Sequence, residues 1–430
     1  MAASSQIPYY QGAIDLRQLV LGHKELSSLG SKSGFVSFQD PIVVKYITIA
    51  LLKRDFGLDI RLPDDRLCPR VPIRYNYVRW IQELIDTTSP KYTDTYDPAR
   101  VVTGLDIGTG ASAIYTILAL QTRPSWHMCA TDIDEQSLSF AKYNIQNNDL
   151  DSRALVTHTK PSDPLISLPI LGVEGLEFTI CNPPFFSTDQ EFADSLAGKG
   201  KDSKPYSSST GTPAEMVYPG GDLAFVSRIF EESLKLREKV QWYSSMFGKL
   251  TSANAFVMKL RENNISNYAV SYLWAGGATR RWAVAWSFGD LRPRHDVARH
   301  WSTERMLDPF PTVFHIPFTA AKAPKVAHVV DTYLSSLQLR WSFDPASGTG
   351  FGITSQNVWS RAFRRQQQKK TEAAETEMAE EAGEKVALAF KMFVFEEKEM
   401  LSVRWLQGAD QVIWESFTGM LKRFVDGIKD

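Results

Sequence analysis

The run LEFTICNPPFF ends an apolar stretch with Asn182, Pro183, Pro184, Phe185 and Phe186. A chain leaving a buried strand ordinarily turns polar. This one places an amide, two rigid rings and two large aromatics at the strand end. The side-chain oxygen of Asn182 can accept a hydrogen bond from an exocyclic amine, and the stiff Pro183–Pro184 backbone fixes a carbonyl that can accept a second. An aromatic ring next door can stack on a base. Together these residues describe a clamp for a planar amine. Such an amine shares its lone pair with its ring and is a poor nucleophile. Two acceptors bias the nitrogen toward tetrahedral geometry, a methyl donor sits in line, and positioning supplies much of the rate. No strong base is needed, because the extra proton leaves after transfer, to solvent or to a nearby carbonyl. The plainer alternative is a rigid turn with buried phenylalanines.

A place for the donor lies upstream. In LDIGTGAS, Asp106 ends a short apolar strand, and Gly108 and Gly110 sit in the turn before a helix. Glycines let backbone approach a ligand closely, and a helix N-terminus offers free N–H groups. The spacing is G-x-G followed by Ala-Ser rather than G-x-G-x-x-G, so the fingerprint is of nucleotide type but weak alone. Asp132 in ATDID strengthens it. It ends the next strand, where an acidic residue is suited to accept from both ribose hydroxyls, and Asp134 suits the cap of the following helix. Ligands of open α/β sheets bind beyond the carboxyl ends of the strands, so Asn182 is expected to face the cofactor's reactive end.

The elements that must align these motifs are legible around them. Residues 1–100 read as a helical N-terminal extension of the catalytic domain. There, DPIVVKYITIALLKRDFGL opens with Asp40 and Pro41, a good N-cap and first helical position, and VPIRYNYVRWIQELID forms a second amphipathic helix. From Val101 to residue 307, strands alternate with helices, which implies a parallel, doubly wound α/β sheet. Residues 188–222, rich in Gly, Ser, Lys and Pro, read as a long mobile loop, of the kind that is usually either functional or disordered. A proline-bearing stretch, 308–325, reads as a linker. Residues 326–430 form a small α+β domain, interrupted by the charged run RAFRRQQQKKTEAAETEMAEEAGEK and closed by a helix that Asp410 caps.

Composition narrows the class. The net charge of −1 rules out a polycationic chain, so nucleic-acid binding has to come from a local patch. Cys68, Cys129 and Cys181 are far apart, which argues against a disulfide framework or a zinc cluster. The N-terminus lacks the pattern of a signal peptide, and no run approaches the ~20 apolar residues of a membrane span. The expectation is a soluble intracellular protein with neither a metal nor a membrane partner.

The ordered set LDIGTGAS, ATDID, CNPPFF, GGDLAFV, WYSSMFGK and RRWAVAWSF resembles the methyltransferase-like protein sixteen family of RNA N6-adenosine methyltransferases. It is also similar to bacterial enzymes that methylate an adenosine of 23S rRNA. The resemblance covers roughly residues 35 to 290. It implies a Rossmann-like class I S-adenosylmethionine-dependent methyltransferase fold, S-adenosylmethionine as cofactor, and RNA as partner. The eukaryotic branch acts on U6 snRNA, and in some members on a hairpin of S-adenosylmethionine synthetase transcripts, which implies a nuclear location with the cytoplasm as alternative. By this resemblance Asn182 to Phe186 clamp the adenine. Gly108 and Ser112 hold the methionine and ribose parts of the cofactor, with Asp106 and Gly110 beside them, and Asp132 takes the ribose. Arg74 pairs with the cofactor carboxylate, and the stretch with Lys160 and Ser162 is a loop that closes over the cofactor.

For RNA, residues 235–305 carry twelve Lys or Arg against five Asp or Glu. That excess nominates Lys249, Lys259, Arg261, Arg280, Arg281, Arg292 and Arg294 for phosphate contacts with stacking nearby. Lys199, Lys201 and Lys204 in the long loop are further candidates. From 320 to 430, fifteen basic residues meet fifteen acidic ones, so charge does not decide whether the C-terminal domain binds RNA or a protein. Other readings stay open: methylation of rRNA, of DNA adenine or of a protein glutamine, and a noncatalytic RNA-binding splicing factor on a methyltransferase fold.

Overall fold

The computed structural model describes residues 8–12, 14–29, 37, 39–198, 211–276, 280–300, 306–363, 365 and 385–429. The chain divides into two compact units. The first comprises Met1–Ile85, Thr95–Phe288 and Val297–Pro309; the second comprises Asp86–Asp94, Gly289–Asp296 and Phe310–Asp430.

In the first unit, helices α1 to α4 (Leu16–Gly22, Lys24–Leu29, Pro41–Phe56 and Val71–Thr87) precede the sheet. The Asp40 side chain accepts from Ile42 N, and Pro41 opens α3, where its missing N–H costs nothing. Strands β1 to β5 (Val102–Ile107, Trp126–Asp132, Ala154–His158, Leu176–Cys181 and Val240–Phe247) alternate with helices. These are α5 (Ile114–Thr122), α6 (Glu135–Gln146), α7 (Leu168–Leu171), α8 (Asp189–Leu196), α9 (Pro213–Met216) and α10 (Gly221–Leu236). Helix α11 (Leu250–Glu262) leads to β6 (Tyr268–Leu273), β7 (Arg281–Trp286), the short α12 (His295–Ala298) and β8 (Arg299–His300). The strand order is β3-β2-β1-β4-β5-β7-β6-β8.

The sheet is mixed, where the strand–helix alternation implies a parallel one. Strands β1 to β5 pair in parallel, but β7 runs antiparallel to both β5 and β6. The reason is the connection. Residues 274–280 between β6 and β7 are too few for the crossover a parallel pair requires. One apolar layer packs α3, α4 and α5 on one face, and another packs α10 and α11 on the other.

Register decides what meets at the carboxyl edge. Ile107 of β1 lies opposite both Thr131 of β2 and Cys181 of β4. The next residues, Gly108, Asp132 and Asn182, therefore leave three adjacent strands at one level. The strand order reverses about β1, with β2 on one side and β4 on the other, and such a switch point is where open α/β sheets bind ligands.

The second unit is a five-stranded antiparallel sheet in the order β10-β11-β12-β13-β9. Its elements are β9 (Val313–Pro317), α13 (Ala323–Ser335), β10 (Arg340–Asp344), β11 (Thr349–Thr354), β12 (Leu388–Phe395), β13 (Met400–Gln407) and α14 (Gln411–Asp426). Val313–Pro317 falls inside the stretch expected to be a linker, yet it is an edge strand paired with β13. Trp414, Phe417 and Leu421 of α14 are buried in the same cluster as Val326 and Val330 of α13. The two short inserts are fastened by buried arginines. Arg404 pairs with Asp94 and donates to Thr87 O, and Arg292 donates to Gly408 O at 3.0 Å with its guanidinium 4.2 Å from the Trp405 ring centre.

Candidate active site

The turn after β1 is held by its neighbour strand. Gly108 N and Thr109 N both donate to Thr131 O at 2.9 Å, and Gly110 N donates to Asp132 Oδ2 at 2.8 Å. Gly108 and Gly110 have φ of 71° and 62°, which disfavours any side chain. A Cβ built at either would meet none of the described residues within 4 Å, so the turn is open toward them. Asp106 lies beneath it, fully buried. Its Oδ2 accepts from Thr109 Oγ1 at 2.8 Å and Thr116 Oγ1 at 3.0 Å, and burial pushes its carboxyl up to about 6. Asp106 thus braces the turn from below. Ser112 is buried in the same turn.

Asp132 is half-buried, and its Oδ1 accepts from Asp134 N at 3.0 Å. Burial raises its pKa, against the lowering effect of the Asp134 and Gly110 N–H groups. Asp134 caps α6 by accepting from Ser137 N, as expected, and also pairs with Arg66 at 3.1 Å.

Asn182 presents a buried Oδ1 that has no hydrogen-bond partner among the described residues. Pro183 is buried; Pro184, Phe185 and Phe186 are half-buried. The two phenylalanines are held differently. Phe186 has a fastened backbone: its N donates to Met216 O and its O accepts from Tyr218 N, both at 2.9 Å. Its ring centre lies 5.2 Å from that of Phe192. Phe185 instead has the guanidinium carbon of Arg281 4.9 Å from its ring centre. On another side it has Gly248, where a Cβ would stand 2.8 Å from Phe185 Cδ1. Gly248 N in turn donates to Oδ2 of the buried Asp222 at 2.8 Å. The blocks GGDLAFV and WYSSMFGK stand out in the sequence, but nothing in them says that Asp222 and Gly248 set the room for the Phe185 ring.

Arg74 is buried, donating from Nη1 to Met246 Sδ at 3.3 Å, with its guanidinium 5.8 Å from the Tyr115 ring centre. Burial, and then the charges of Arg74 and Arg70, push Arg281 down to about 10. Burial and then Arg74 lower Arg70. These three arginines make the surroundings of Phe185 electropositive. Lys160 and Ser162 are exposed on a tight turn in which Lys160 N donates to Asp163 Oδ2 at 2.8 Å, and Arg228 holds the Pro161 and Asp163 carbonyls.

The basic patch expected for RNA resolves mostly into bracing contacts. Lys249 pairs with Glu191 at 2.7 Å, and Glu191 also accepts from Ser187 N. Lys259 pairs with Glu231; Arg261 binds the Tyr268 hydroxyl and Asp308 O; Arg294 pairs with Asp296. Arg292 is buried within the second unit. Arg280 is exposed, while Arg281 turns to Phe185. Lys199, Lys201 and Lys204 lie outside the described residues. Charge density along the chain could not separate solvated cations from those engaged by the fold. Among the described residues no helix is long and apolar enough to cross a membrane, and no cluster of three or more His, Cys, Asp or Glu could hold a metal ion.

Residues 9–290 match the model of a family described as RNA methyltransferase. The chain is 33% identical over 394 residues to the U6 small nuclear RNA (adenine-(43)-N(6))-methyltransferase of Schizosaccharomyces pombe, covering 91% of this chain and 95% of that one. It is 37% identical over 265 residues to the Homo sapiens RNA N(6)-adenosine-methyltransferase METTL16, covering 59% of this chain and 44% of that one. The match to the human protein thus takes in less than half of that protein's length. Among solved structures, the hMettl16 catalytic domain in complex with MAT2A 3′UTR hairpin 6 is similar, with a TM-score of 0.56 and 33% identity over 64% of this chain and 94% of that one. The N-terminal domain of human METTL16 in complex with SAH has a TM-score of 0.51 and 31% identity, over 64% and 95%.

Proposed function

Because this chain belongs to that family of RNA methyltransferases, we propose that it transfers a methyl group from S-adenosylmethionine to the N6 amine of an adenosine in structured RNA, with U6 snRNA as its target. One observation carries the reading of the site. Asn182 Oδ1, buried and without a partner among the described residues, leaves β4 at the level where the open Gly108–Gly110 turn leaves β1. An unpaired buried acceptor is costly, and an amine supplies the missing donor.

The residues fit the cofactor. The glycine turn and Ser112 would hold its methionine and ribose parts, Asp132 the ribose hydroxyls, and Arg74 the carboxylate. When bound, S-adenosylmethionine supplies an electrophilic methyl group on a sulfonium. Asn182 accepts one N–H of the adenine amine, and a carbonyl of the Pro183–Pro184 segment accepts the other. Phe185 stacks on the extruded base, and such contacts offset the cost of unstacking it. The amine proton passes to solvent or to that carbonyl. The electropositive surroundings made by Arg70, Arg74 and Arg281 favour the phosphates flanking the base. Arg280 is the exposed cation next in line. The second unit adds RNA affinity or docks a protein, and a U6 substrate implies work in the nucleus.

The test is direct. Purified protein, S-adenosylmethionine and U6 snRNA should yield N6-methyladenosine at one position, and the same reaction with Asn182→Ala should not. Methylated RNA whose modified base is anything but adenosine N6, or no loss with Asn182→Ala, would sink the reading.

A further inference from the structure

Three buried side-chain oxygens that have no hydrogen-bond partner among the described residues stand at the start of α5 and the carboxyl ends of β1 and β4: Asn182 Oδ1, Asp106 Oδ1 and the Tyr115 hydroxyl. The first has its role above. The second belongs to the carboxylate that braces the turn. The Tyr115 hydroxyl has none, and it is the one of the three that donates.

Tyr115 lies three residues beyond Ser112, and 3% of it is exposed, so solvent does not satisfy its hydroxyl. Its ring meets Tyr77 edge-on, with centroids 5.5 Å apart. Burial raises its pKa well above the ordinary value, opposed by the charge of Arg74 and by a long hydrogen-bonding approach of its guanidinium. That approach addresses the oxygen lone pair and leaves the O–H proton without an acceptor; the hydroxyl keeps that proton and remains a donor. Arg74 is buried with 9% exposure, and among the described residues no carboxylate pairs with it. Thioether sulfur is a weak acceptor and a poor counterpart for a buried guanidinium. A buried cation and a buried neutral donor, adjacent and both short of an acceptor, form the complement of one anion. A carboxylate has two oxygens and about four lone-pair sites, enough for both.

We propose that the Tyr115 hydroxyl is a further cofactor-binding group, donating to the α-carboxylate of the methionine moiety alongside Arg74. This rests on the reading of the site given above. The pair makes recognition of that end of the cofactor two-handed: the cation demands a negative charge, and the hydroxyl demands an acceptor in a fixed direction. A cofactor relative without the carboxylate leaves both donors unpaired.

The experiment uses the full chain and calorimetric titration with S-adenosylhomocysteine and with its decarboxylated analogue, for wild type, Tyr115→Phe, Arg74→Met and the double variant. Tyr115→Phe is expected to weaken S-adenosylhomocysteine about tenfold, equivalent to ~1.4 kcal/mol, and to leave the analogue within about twofold. The ligand-free melting temperature is expected to hold or rise, because an unsatisfied hydroxyl is removed. The double variant should lose less than the product of the single losses, since both residues serve one group. Unchanged S-adenosylhomocysteine affinity in Tyr115→Phe, equal losses for both ligands, or independent losses in the double variant would each overturn the proposal. So would a variant that does not fold, since a hydroxyl without a partner in the free protein has nothing to hold. Wild type that binds neither ligand would overturn the cofactor reading as well, which keeps the two failures apart.

Discussion

The guanidinium carbon of Arg281 lies 4.9 Å from the centre of the Phe185 ring, while its neighbour Arg280 is exposed. Successive residues entering a strand point to opposite faces, and β7 begins here. One arginine therefore lies against the Phe185 ring and the other faces solvent.

Arg280→Glu should weaken RNA binding and flatten its salt dependence by ~0.7–0.9 for each phosphate no longer neutralised, with single-turnover chemistry at saturating RNA nearly intact. Arg281→Ala should do the reverse: turnover falls about tenfold, through a displaced Phe185, while the salt slope changes little. RNA binding across a salt series, with single-turnover rates beside it, separates the two. The opposite pattern would assign Arg281 to phosphate.

Asn182→Ala should cost more than ~1.4 kcal/mol of transition-state stabilisation, a tenfold loss of rate. The melting temperature should stay within a degree or two, because the Asn182 oxygen bonds nothing among the described residues. Rate and thermal melt measured on one preparation check both halves.

Phe185→Ala and Phe186→Ala should separate. Phe186 packs on Phe192, so its loss should lower stability by ~1–3 kcal/mol. Phe185→Ala should mainly lower turnover, with ~1–3 kcal/mol of base stacking at stake. Gly248→Ala puts a methyl 2.8 Å from Phe185 Cδ1 and should reproduce part of the turnover defect without touching the ring. If Gly248→Ala leaves turnover unchanged, the position of Phe185 does not limit the reaction.

Asp106 sets a pH signature. Burial raises its folded pKa to about 6 from the ordinary value of 3.8. Between those values the folded state binds more protons than the unfolded state, so the contribution of Asp106 to stability is full below the unfolded pKa. It is lost as pH rises toward 6, at ~1.4 kcal/mol per unit of pKa difference. Asp106→Asn removes this titration. The stability of wild type relative to Asp106→Asn should fall from pH 4 to 6 and then level off, as read by denaturant melts. A flat difference over that window would place the Asp106 pKa near its ordinary value.

Much of the site could be read from the chain because its parts are local. LDIGTG, ATDID and CNPPFF each combine a strand end with its own turn, and the caps at Asp40, Asp134 and Asp410 act within one helical turn of where they stand. What resisted reading was the fate of cations. Lys249, Arg261, Arg281 and Arg292 look alike as charges along a chain. A carboxylate, a phenol, an aromatic ring and a pair of backbone carbonyls claim them one by one, most from segments distant in sequence.

By itself, the sequence determined the alternation of strands and helices from β1 to β5, the glycine turn with its acidic neighbour and the rigid strand end at Asn182–Phe186, because each is written in short-range stereochemistry and hydrogen bonding. Only the tertiary structure decided that β7 inserts antiparallel between β5 and β6. It also decided that Asp86–Asp94 and Gly289–Asp296 join the second unit, and that Tyr115 and Arg74 come to share one buried, acceptor-poor corner. Such pairings depend on register and packing between segments far apart in the chain, where no local rule constrains which side chain meets which.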